Sequence, residues 1–316
     1  MVPGTGPVHT PNIDPRLLVV AAAILWGTTG TAQALGPDDA SPTAVGAARL
    51  VVGGVLLGIV AVARGWLRGG IRGWALGPTL VAGAAMAAYQ PFFFGGVARI
   101  GVAVGTVVGI GSAPVFAGLL GIAVRGERPG RRWLLSTALA VAGTVLLVGT
   151  GDRTDVEPLG VALALGAGAS YAVYVLATKL LLDAGHPSSP VVAVTFILAG
   201  GLLVPVAAMA GVGPLASVDG IAMVAHLGVL TVAVAYLLFG RGLTAVGVGT
   251  AGTLTLAEPA TAATLGILVL GERPGPAVIV GVLMIGAGLV MLVSIEGASV
   301  RRSDEIGQRG RSSQGG

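Results

Sequence analysis

Three ionisable residues lie inside long apolar stretches of this 316-residue sequence, where a charge is costly. Glu258 is near the middle of its stretch, while Arg49 and His226 lie nearer to one end of theirs. A charge at the centre of a membrane helix costs about 2.5–3.5 kcal/mol on insertion scales, so such residues are functional candidates. Glu258 is the strongest of them, because Thr255, Glu258 and Thr261 share one face of a helix.

Glu258 has two competing interpretations. In the first, it takes up a proton on one side of a membrane and releases it when a cationic substrate arrives, which couples movement of the substrate to a proton gradient. In the second, Pro259 removes a backbone donor and frees the carbonyl of Thr255, and a protonated Glu258 only satisfies the broken turn. The sequence leaves both open.

Arg49 and His226 also have a functional and a structural interpretation each. The planar guanidinium of Arg49 could hold a substrate carboxylate, or it could reach the nearer membrane surface along its aliphatic stem. His226 could relay a proton near neutral pH, or it could satisfy one carbonyl in a packed bundle. The structural interpretation is favoured for both.

Aromatic and amide side chains form a second set of candidates. Trp26 and Gln33 share a face of one helix, and Tyr171 and Tyr174 share a face of another. Such rings would suit an apolar or aromatic substrate whose polar atoms bind nearby amide or hydroxyl groups, although packing between helices explains them equally well. The predicted substrate-binding set is Trp26, Gln33, Tyr89, Gln90, Tyr171, Tyr174 and Glu258.

Composition indicates that membrane helices hold these residues. The chain is 54% hydrophobic and 10% charged, with mean hydropathy +0.91, and about 20 apolar residues span a bilayer. We therefore predict an all-α membrane protein with ten transmembrane helices. Their predicted spans are 17–35, 43–63, 74–96, 101–124, 133–150, 159–181, 189–210, 218–240, 247–270 and 276–295.

The sequence also contains an internal repeat. The 17 residues that begin at Pro114 return at Pro259, with 11 of 17 positions identical, and both copies end in Gly-Glu-Arg-Pro-Gly. This predicts two repeats of five helices, at 17–150 and 151–295, between a tail at 1–16 and a disordered tail at 296–316. We expect Pro114 and Pro259 to kink their helices at matched positions.

Basic residues predict how the chain crosses the membrane. With the N-terminus in the cytoplasm, 14 Arg and Lys residues fall on the cytoplasmic side and three fall outside, as the positive-inside rule requires. We therefore expect both termini to be cytoplasmic and the protein to be a multi-pass component of the inner (plasma) membrane.

Five helices per repeat is an odd number, so the second repeat must enter the membrane from the opposite side and is inverted relative to the first. Inverted repeats are typical of secondary transporters that work by alternating access.

The sequence resembles the drug/metabolite transporter superfamily, specifically its ten-helix proteins built from two EamA-type units. The resemblance covers residues 17–295 and is carried by Trp26-Gly27, by Pro114 and Pro259, and by the Gly-Glu-Arg ending after each proline. It implies a transporter of amino acids, nucleobase-like metabolites, sugars or toxic organic compounds. It also implies a central cavity lined mainly by helices 1, 3, 4, 6, 8 and 9. We expect export of a small organic metabolite, amino acid or drug-like compound.

Other classes of function fit less well. The chain has no cysteine, and no phosphate loop, metal-ligand cluster or nucleophile triad is apparent, so we expect no cofactor and no metal. Expected partners are a small-molecule substrate and membrane lipid, not nucleic acid, because the basic residues are scattered. A membrane-embedded enzyme acting on a lipid-linked substrate remains the alternative, although paired ionisable residues are scarce. A membrane scaffold would not need an inverted repeat. Oligomeric state stays open.

Overall fold

The computed structural model describes residues 13–68, 74–148, 157–273 and 275–293. Ten helical segments follow one another along this part of the chain, and the predicted all-α, ten-helix fold is confirmed. They are α1 Pro15–Ala34, α2 Pro42–Ala63, α3 Leu76–Gly101, α4 Val104–Arg125, α5 Arg131–Val148, α6 Pro158–Asp183, α7 Ser188–Ala210, α8 Val218–Leu243, α9 Val248–Leu254 with Ala257–Leu268, and α10 Pro276–Val293. The predicted tail at 296–316 and most of the tail at 1–16 lie outside the described residues.

Eight of the ten helices are long and apolar enough to cross a membrane. The other two are α5, which begins with two arginines, and α9, which is interrupted. Large apolar side chains are exposed on the outside of the bundle, including Val62, Leu268 and Val290. Exposure of this kind is expected when lipid, rather than water, surrounds the helices.

Local sequence signals set the helix ends. Proline occupies the first turn of α1 and α2, and the preceding Asp14 and Ser41 accept backbone N–H groups of Arg16 and Ala44. At the other end, Gly126 follows α4 with a positive φ of 64°. Glycine tolerates this left-handed conformation, which ends a helix.

Three local irregularities were not predicted. Helices α3 and α4 join without a loop at Gly101, whose φ is 78° and ψ 159°. In α8, the segment Leu227–Val234 is a π-helix, in which the backbone hydrogen bonds shift from i+4 to i+5. Helix α9 is interrupted at Thr255 and Leu256, between its two halves.

Close contacts between α5 and α10 display the inverted arrangement of the two repeats. A Cβ atom on Gly143 would lie 2.7 Å from the carbonyl oxygen of Gly281, and one on Gly288 would lie 2.8 Å from that of Ser136. Equivalent positions in the two repeats are 145 residues apart, so position 143 corresponds to 288 and position 136 corresponds to 281. Each glycine of one repeat therefore meets the backbone of the other at the equivalent position, with the helices antiparallel.

The same symmetry governs the remaining contacts. Helix α1 packs against α8 and α9, while its counterpart α6 packs against α3 and α4. Helices α4 and α9 run in opposite directions, because the residues after α4 contact the first residues of α9. We name the two ends of the bundle after the acidic residue of each repeated motif: the Glu127 end and the Glu272 end.

Candidate functional site

A small cavity of about 40 Å³ lies at the centre of the bundle. Side chains from α1, α2, α3, α4, α6, α8 and α9 line it. These include the six helices that the family resemblance implies, and α2 adds Arg49. The lining residues are Trp26, Arg49, Leu50, Tyr89, Gly109, Ile110, Ala113, Tyr171, Thr231, Val232, Tyr236, Thr255 and Glu258.

Arg49 and Glu258 face this cavity from opposite repeats. No ion pair within 4.0 Å joins these two described residues. The Nε atom of Arg49 is buried without a hydrogen-bond partner. Within the described part of the chain, the carboxylate of Glu258 also lacks a hydrogen bond. The cavity thus presents a guanidinium and a carboxyl group whose hydrogen-bonding capacity is unused by the described residues.

Gly27 explains how the backbone at Glu258 is positioned. A Cβ atom on Gly27 would lie 2.8 Å from the carbonyl oxygen of Glu258 and would also overlap the side chain of Thr261. Only glycine lets α1 approach α9 this closely. The Trp26-Gly27 pair therefore presents an indole to the cavity and brings the glutamate-bearing turn against α1.

The break in α9 provides the carbonyl of Thr255 with a partner from the backbone. The N–H of Glu258 donates to the carbonyl of Thr255 at 2.9 Å, across the residues that separate the two halves of the helix. Pro259 follows in the first turn of the second half. Helix α4, in contrast, continues through Pro114. The repeated prolines thus occupy different local structures.

Aromatic side chains form one wall of the cavity. Trp26 and Tyr171, which the repeat relates, meet edge to face with ring centroids 6.2 Å apart, and the ring of Tyr236 lies 4.7 Å from that of Trp26. The indole N–H donates to the carbonyl of Thr231 at 2.8 Å. Thr231 lies within the π-helix of α8.

Tyr236 and Thr231 were absent from the predicted set of site residues. No repeat relation marks Tyr236, because position 91 is a proline. The role of Thr231 depends on a backbone irregularity that has no evident sequence signal. Helical spacing assigns residues to a face of their own helix, but it does not identify the neighbouring helix.

Four predicted residues lie outside the lining of this cavity. Tyr174 and Gln90 are buried in the bundle, and Gln90 Oε1 lacks a hydrogen-bond partner. Gln33 donates to the carbonyl of Thr29 on its own helix at 3.4 Å. His226 lies 2.9 Å from the hydroxyl of Thr28 and lines a separate groove of about 370 Å³ at the Glu272 end. Trp26, Tyr89, Tyr171, Arg49 and Glu258 are the predicted residues that the cavity brings together.

A polar network closes the Glu127 end. The Glu127 carboxylate accepts the backbone N–H of Val248 at 3.0 Å and pairs with Arg125 at 3.1 Å. Arg125 also pairs with Asp183, which lies 3.3 Å from the ammonium group of Lys179.

Lys179 is a structural residue at the Glu127 end. It is buried, and its ammonium group donates to the carbonyls of Leu243 and Thr244, each at 2.9 Å. These are carbonyls at the end of α8, where a cation is favourable. The network therefore connects α4, α6, α8 and α9 at one end of the bundle.

The described part of the chain offers no evident metal site. No three His, Cys, Asp or Glu side chains within it are arranged to hold a metal ion.

Comparison with known proteins agrees with this architecture. The model of the EamA-like transporter family matches twice, at residues 16–149 and 158–294. A Bacillus subtilis (strain 168) protein named uncharacterized transporter YwfM is 40% identical over 278 residues, covering 87% of this chain and 92% of that protein. The threonine/homoserine exporter RhtA of Escherichia coli (strain K12) is 30% identical over 304 residues, covering 95% of each.

A solved crystal structure has the same fold. It superimposes with a TM-score of 0.77 at 19% identity, covering 89% of this chain and 96% of the other. The family match and the named relatives confirm that this is a transporter and not the membrane enzyme considered as an alternative. The chain belongs to the EamA-like transporter family and is a multi-pass membrane protein.

Proposed function

We propose that this protein exports a small α-amino acid across the inner (plasma) membrane by alternating access, with both termini in the cytoplasm. The orientation rests on the excess of basic residues that would face the cytoplasm. It places the Glu127 end inside the cell and the Glu272 end outside. The direction of transport is suggested by the relative RhtA, which is named as an exporter of threonine and homoserine.

The observation that carries the proposal is the pair of opposed charges in the cavity. An α-amino acid has a carboxylate and an ammonium group a few ångströms apart. Arg49 is suited to the carboxylate through its planar donor fork, and Glu258 is suited to the ammonium. The two residues face one cavity without pairing with each other. A zwitterion between them would satisfy both charges at once, whereas a neutral solute would leave both unpaired.

The aromatic wall favours a substrate with a small side chain. Trp26, Tyr171 and Tyr236 surround the cavity with rings, and the hydroxyl of Tyr171 has no hydrogen-bond partner. That hydroxyl is available to a polar group of the substrate. A hydroxylated side chain such as that of threonine combines the apolar and polar contacts that this wall provides.

Alternating access is needed because the described cavity is too small for an amino acid. About 40 Å³ accommodates no more than a few water molecules. Substrate entry therefore requires helices to separate on one side of the cavity. Two inverted repeats of the same fold offer two related packings, one open to each side.

Glu258 is the candidate for coupling transport to protons. Because the backbone N–H of Glu258 already serves the carbonyl of Thr255, the side chain is not needed to repair the broken turn. It can then alternate between holding the substrate ammonium and holding a proton. Arg49 would bind substrate in this scheme, while His226 lies in the separate groove at the Glu272 end.

Counterflow in proteoliposomes tests the proposal. Vesicles loaded with unlabelled threonine should accumulate labelled threonine without ATP. Two analogues should compete poorly with labelled threonine: the amine that lacks its carboxylate, and the acid that lacks its ammonium group. Charged hydrogen bonds contribute about 1.5–3 kcal/mol, so Arg49→Gln should weaken apparent affinity by about 10- to 150-fold. Arg99→Gln, at an exposed arginine on α3, is the matched control.

Two outcomes would overturn the proposal. Equal competition by the analogues that lack one charge would exclude recognition of a zwitterion. Unchanged affinity in both Arg49→Gln and Glu258→Gln would remove the two charges from the binding site. If Glu258→Gln retained proton-dependent transport, only the coupling role of Glu258 would be lost.

A further inference from the structure

The two repeated Gly-Glu motifs end their helices in the same way. Glu127 donates its backbone N–H to the carbonyl of Gly121 at 3.0 Å, and Glu272 donates to that of Gly266 at 3.1 Å. Both preceding glycines have a positive φ, 64° and 70°. Each carboxylate folds back over the glycine of its own helix, where a Cβ atom would meet it. The repeat therefore positions two equivalent acceptors at opposite ends of the bundle.

The two carboxylates nevertheless have different partners. Glu127 accepts backbone N–H groups from Val248 and Gly249, at 3.0 and 3.5 Å, and so holds the start of α9. Glu272 is exposed, and no hydrogen bond or ion pair to its carboxylate occurs within the described ranges of the chain. Because the positions differ by 145 residues, the counterpart of Gly249 is Val104, at which α4 begins. In this conformation the Glu127 carboxylate binds the start of α9, whereas the Glu272 carboxylate does not bind the start of α4.

The surrounding residues account for the asymmetry. At the Glu127 end, Arg125 pairs with Glu127, and Lys179 binds the end of α8. The positions equivalent to these two cations are Leu270 and Ala34, which carry no charge. The Glu127 end thus has ion pairs that these positions cannot form at the Glu272 end, and this favours a conformation closed at the Glu127 end.

We propose that Glu127 and Glu272 act as alternating latches between α4 and α9. When the Glu127 end is closed, Glu127 holds the start of α9 and Glu272 is released. When the bundle opens at the Glu127 end, Glu272 accepts the backbone N–H groups at the start of α4 and Glu127 releases α9. Each carboxylate exchanges backbone donors for water, so the states differ in hydrogen-bond partners and not in covalent structure. This inference rests on the proposed alternating access, but not on the proposed substrate.

Side-specific labelling of a cysteine in the cavity tests the latches. The chain contains no cysteine, so Ala113→Cys, at a position that lines the cavity and is 4% exposed, is a single reporter. A membrane-impermeant maleimide is applied to proteoliposomes from either side, without substrate. In this background, Glu127→Ala should raise the labelling rate from the Glu127 end by about tenfold, as expected for loss of a charged hydrogen bond to the backbone.

Two further variants make the test specific. Glu272→Ala should leave labelling from the Glu127 end unchanged or lower it, because it weakens the opposite state. Leu270→Arg adds at the Glu272 end the cation that Arg125 provides at the Glu127 end, and it should raise labelling from the Glu127 end. Glu157→Ala removes an exposed carboxylate paired with Arg99 at 3.7 Å and serves as the control, with no change expected.

The results separate the latch from the transport proposal. Unchanged labelling in both Glu127→Ala and Leu270→Arg would overturn the latch, and so would equal increases in Glu127→Ala and Glu272→Ala. Glu127→Gln, which retains an acceptor, replaces Glu127→Ala if that variant does not elute as a folded protein, with a smaller increase expected. Labelling at the expected rates in a protein that does not bind threonine would contradict the substrate and leave the latch supported.

Discussion

Replacing Gly27 by alanine provides a sharp test of how the fold positions the cavity. A Cβ atom there would lie 2.8 Å from the carbonyl oxygen of Glu258, and this backbone atom cannot move without displacing the turn that carries the glutamate. One turn further along α1, Gly30 faces open space, because a Cβ atom at that position would have no neighbouring atom within 4 Å. The two substitutions make the same chemical change in the same helix.

The magnitude follows from the difference between the two sites. Alanine favours a helix over glycine by up to about 1 kcal/mol at either position, so this gain cancels in the comparison. Overpacking adds a cost of about 1–3 kcal/mol at Gly27 only. We therefore expect Gly27→Ala to be less stable than Gly30→Ala by about 1–3 kcal/mol. Gly27→Ala should also slow threonine counterflow, because it displaces Glu258.

Unfolding in mixed detergent micelles measures the stability difference, and counterflow measures the consequence for transport. If Gly27→Ala were as stable as Gly30→Ala and transported equally well, the close approach of α1 to α9 would not position Glu258. A Gly27→Ala protein that is destabilised but transports normally would confirm the close approach of α1 to α9. It would contradict only the claim that this approach positions Glu258 for transport.

Three further sets of substitutions test other contacts. Gly143→Ala and Gly288→Ala should destabilise the protein by similar amounts, about 1–3 kcal/mol each. Gly286→Ala is the control and should not destabilise it, because a Cβ atom there would face open space. Unequal effects at Gly143 and Gly288 would contradict the two-fold relation between the repeats. Trp26→Phe should cost about 1–3 kcal/mol in the same unfolding assay, because the Thr231 carbonyl loses its donor. Trp66→Phe, at a tryptophan that is only partly buried against the core, makes the same change in ring size and should cost less. Lys179→Met should lower the melting temperature more than Arg241→Met, since Lys179 satisfies two carbonyls at the end of α8.

Much of the fold could be predicted from the sequence because membrane helices are constrained by length and hydropathy. Apolar stretches near 20 residues indicated the spans, and the repeated Gly-Glu-Arg-Pro-Gly indicated two related halves. The junction at Gly101 and the π-helix in α8 could not be predicted, because they depend on contacts with other helices. Trp26 and the Thr231 carbonyl that it binds are 205 residues apart in sequence.

The candidate site was predictable to a similar degree. Charge inside an apolar stretch identified Glu258 and Arg49, and shared helix faces identified Trp26 and Tyr171; all four line the cavity. Gln33 and Gln90 have similar chemistry but lie outside its lining, because helical spacing does not specify which neighbour a face meets.

The repeated acidic motif shows the same limit of sequence reasoning. Glu127 follows the end of α4, but its carboxylate binds the start of α9, at a residue 121 positions later in the chain. Nothing in the spacing of the motif identifies that partner, because the contact depends on how the two repeats pack.

Side-specific labelling of the two repeated motifs tests the inverted architecture most directly. Arg128 and Arg273 are equivalent positions in the two repeats, both exposed, and the chain has no cysteine of its own. With an impermeant maleimide, Arg128→Cys should react only from the cytoplasmic side and Arg273→Cys only from the outside. Reaction of both cysteines from the same side would contradict the inversion of the two repeats and the alternating access that depends on it.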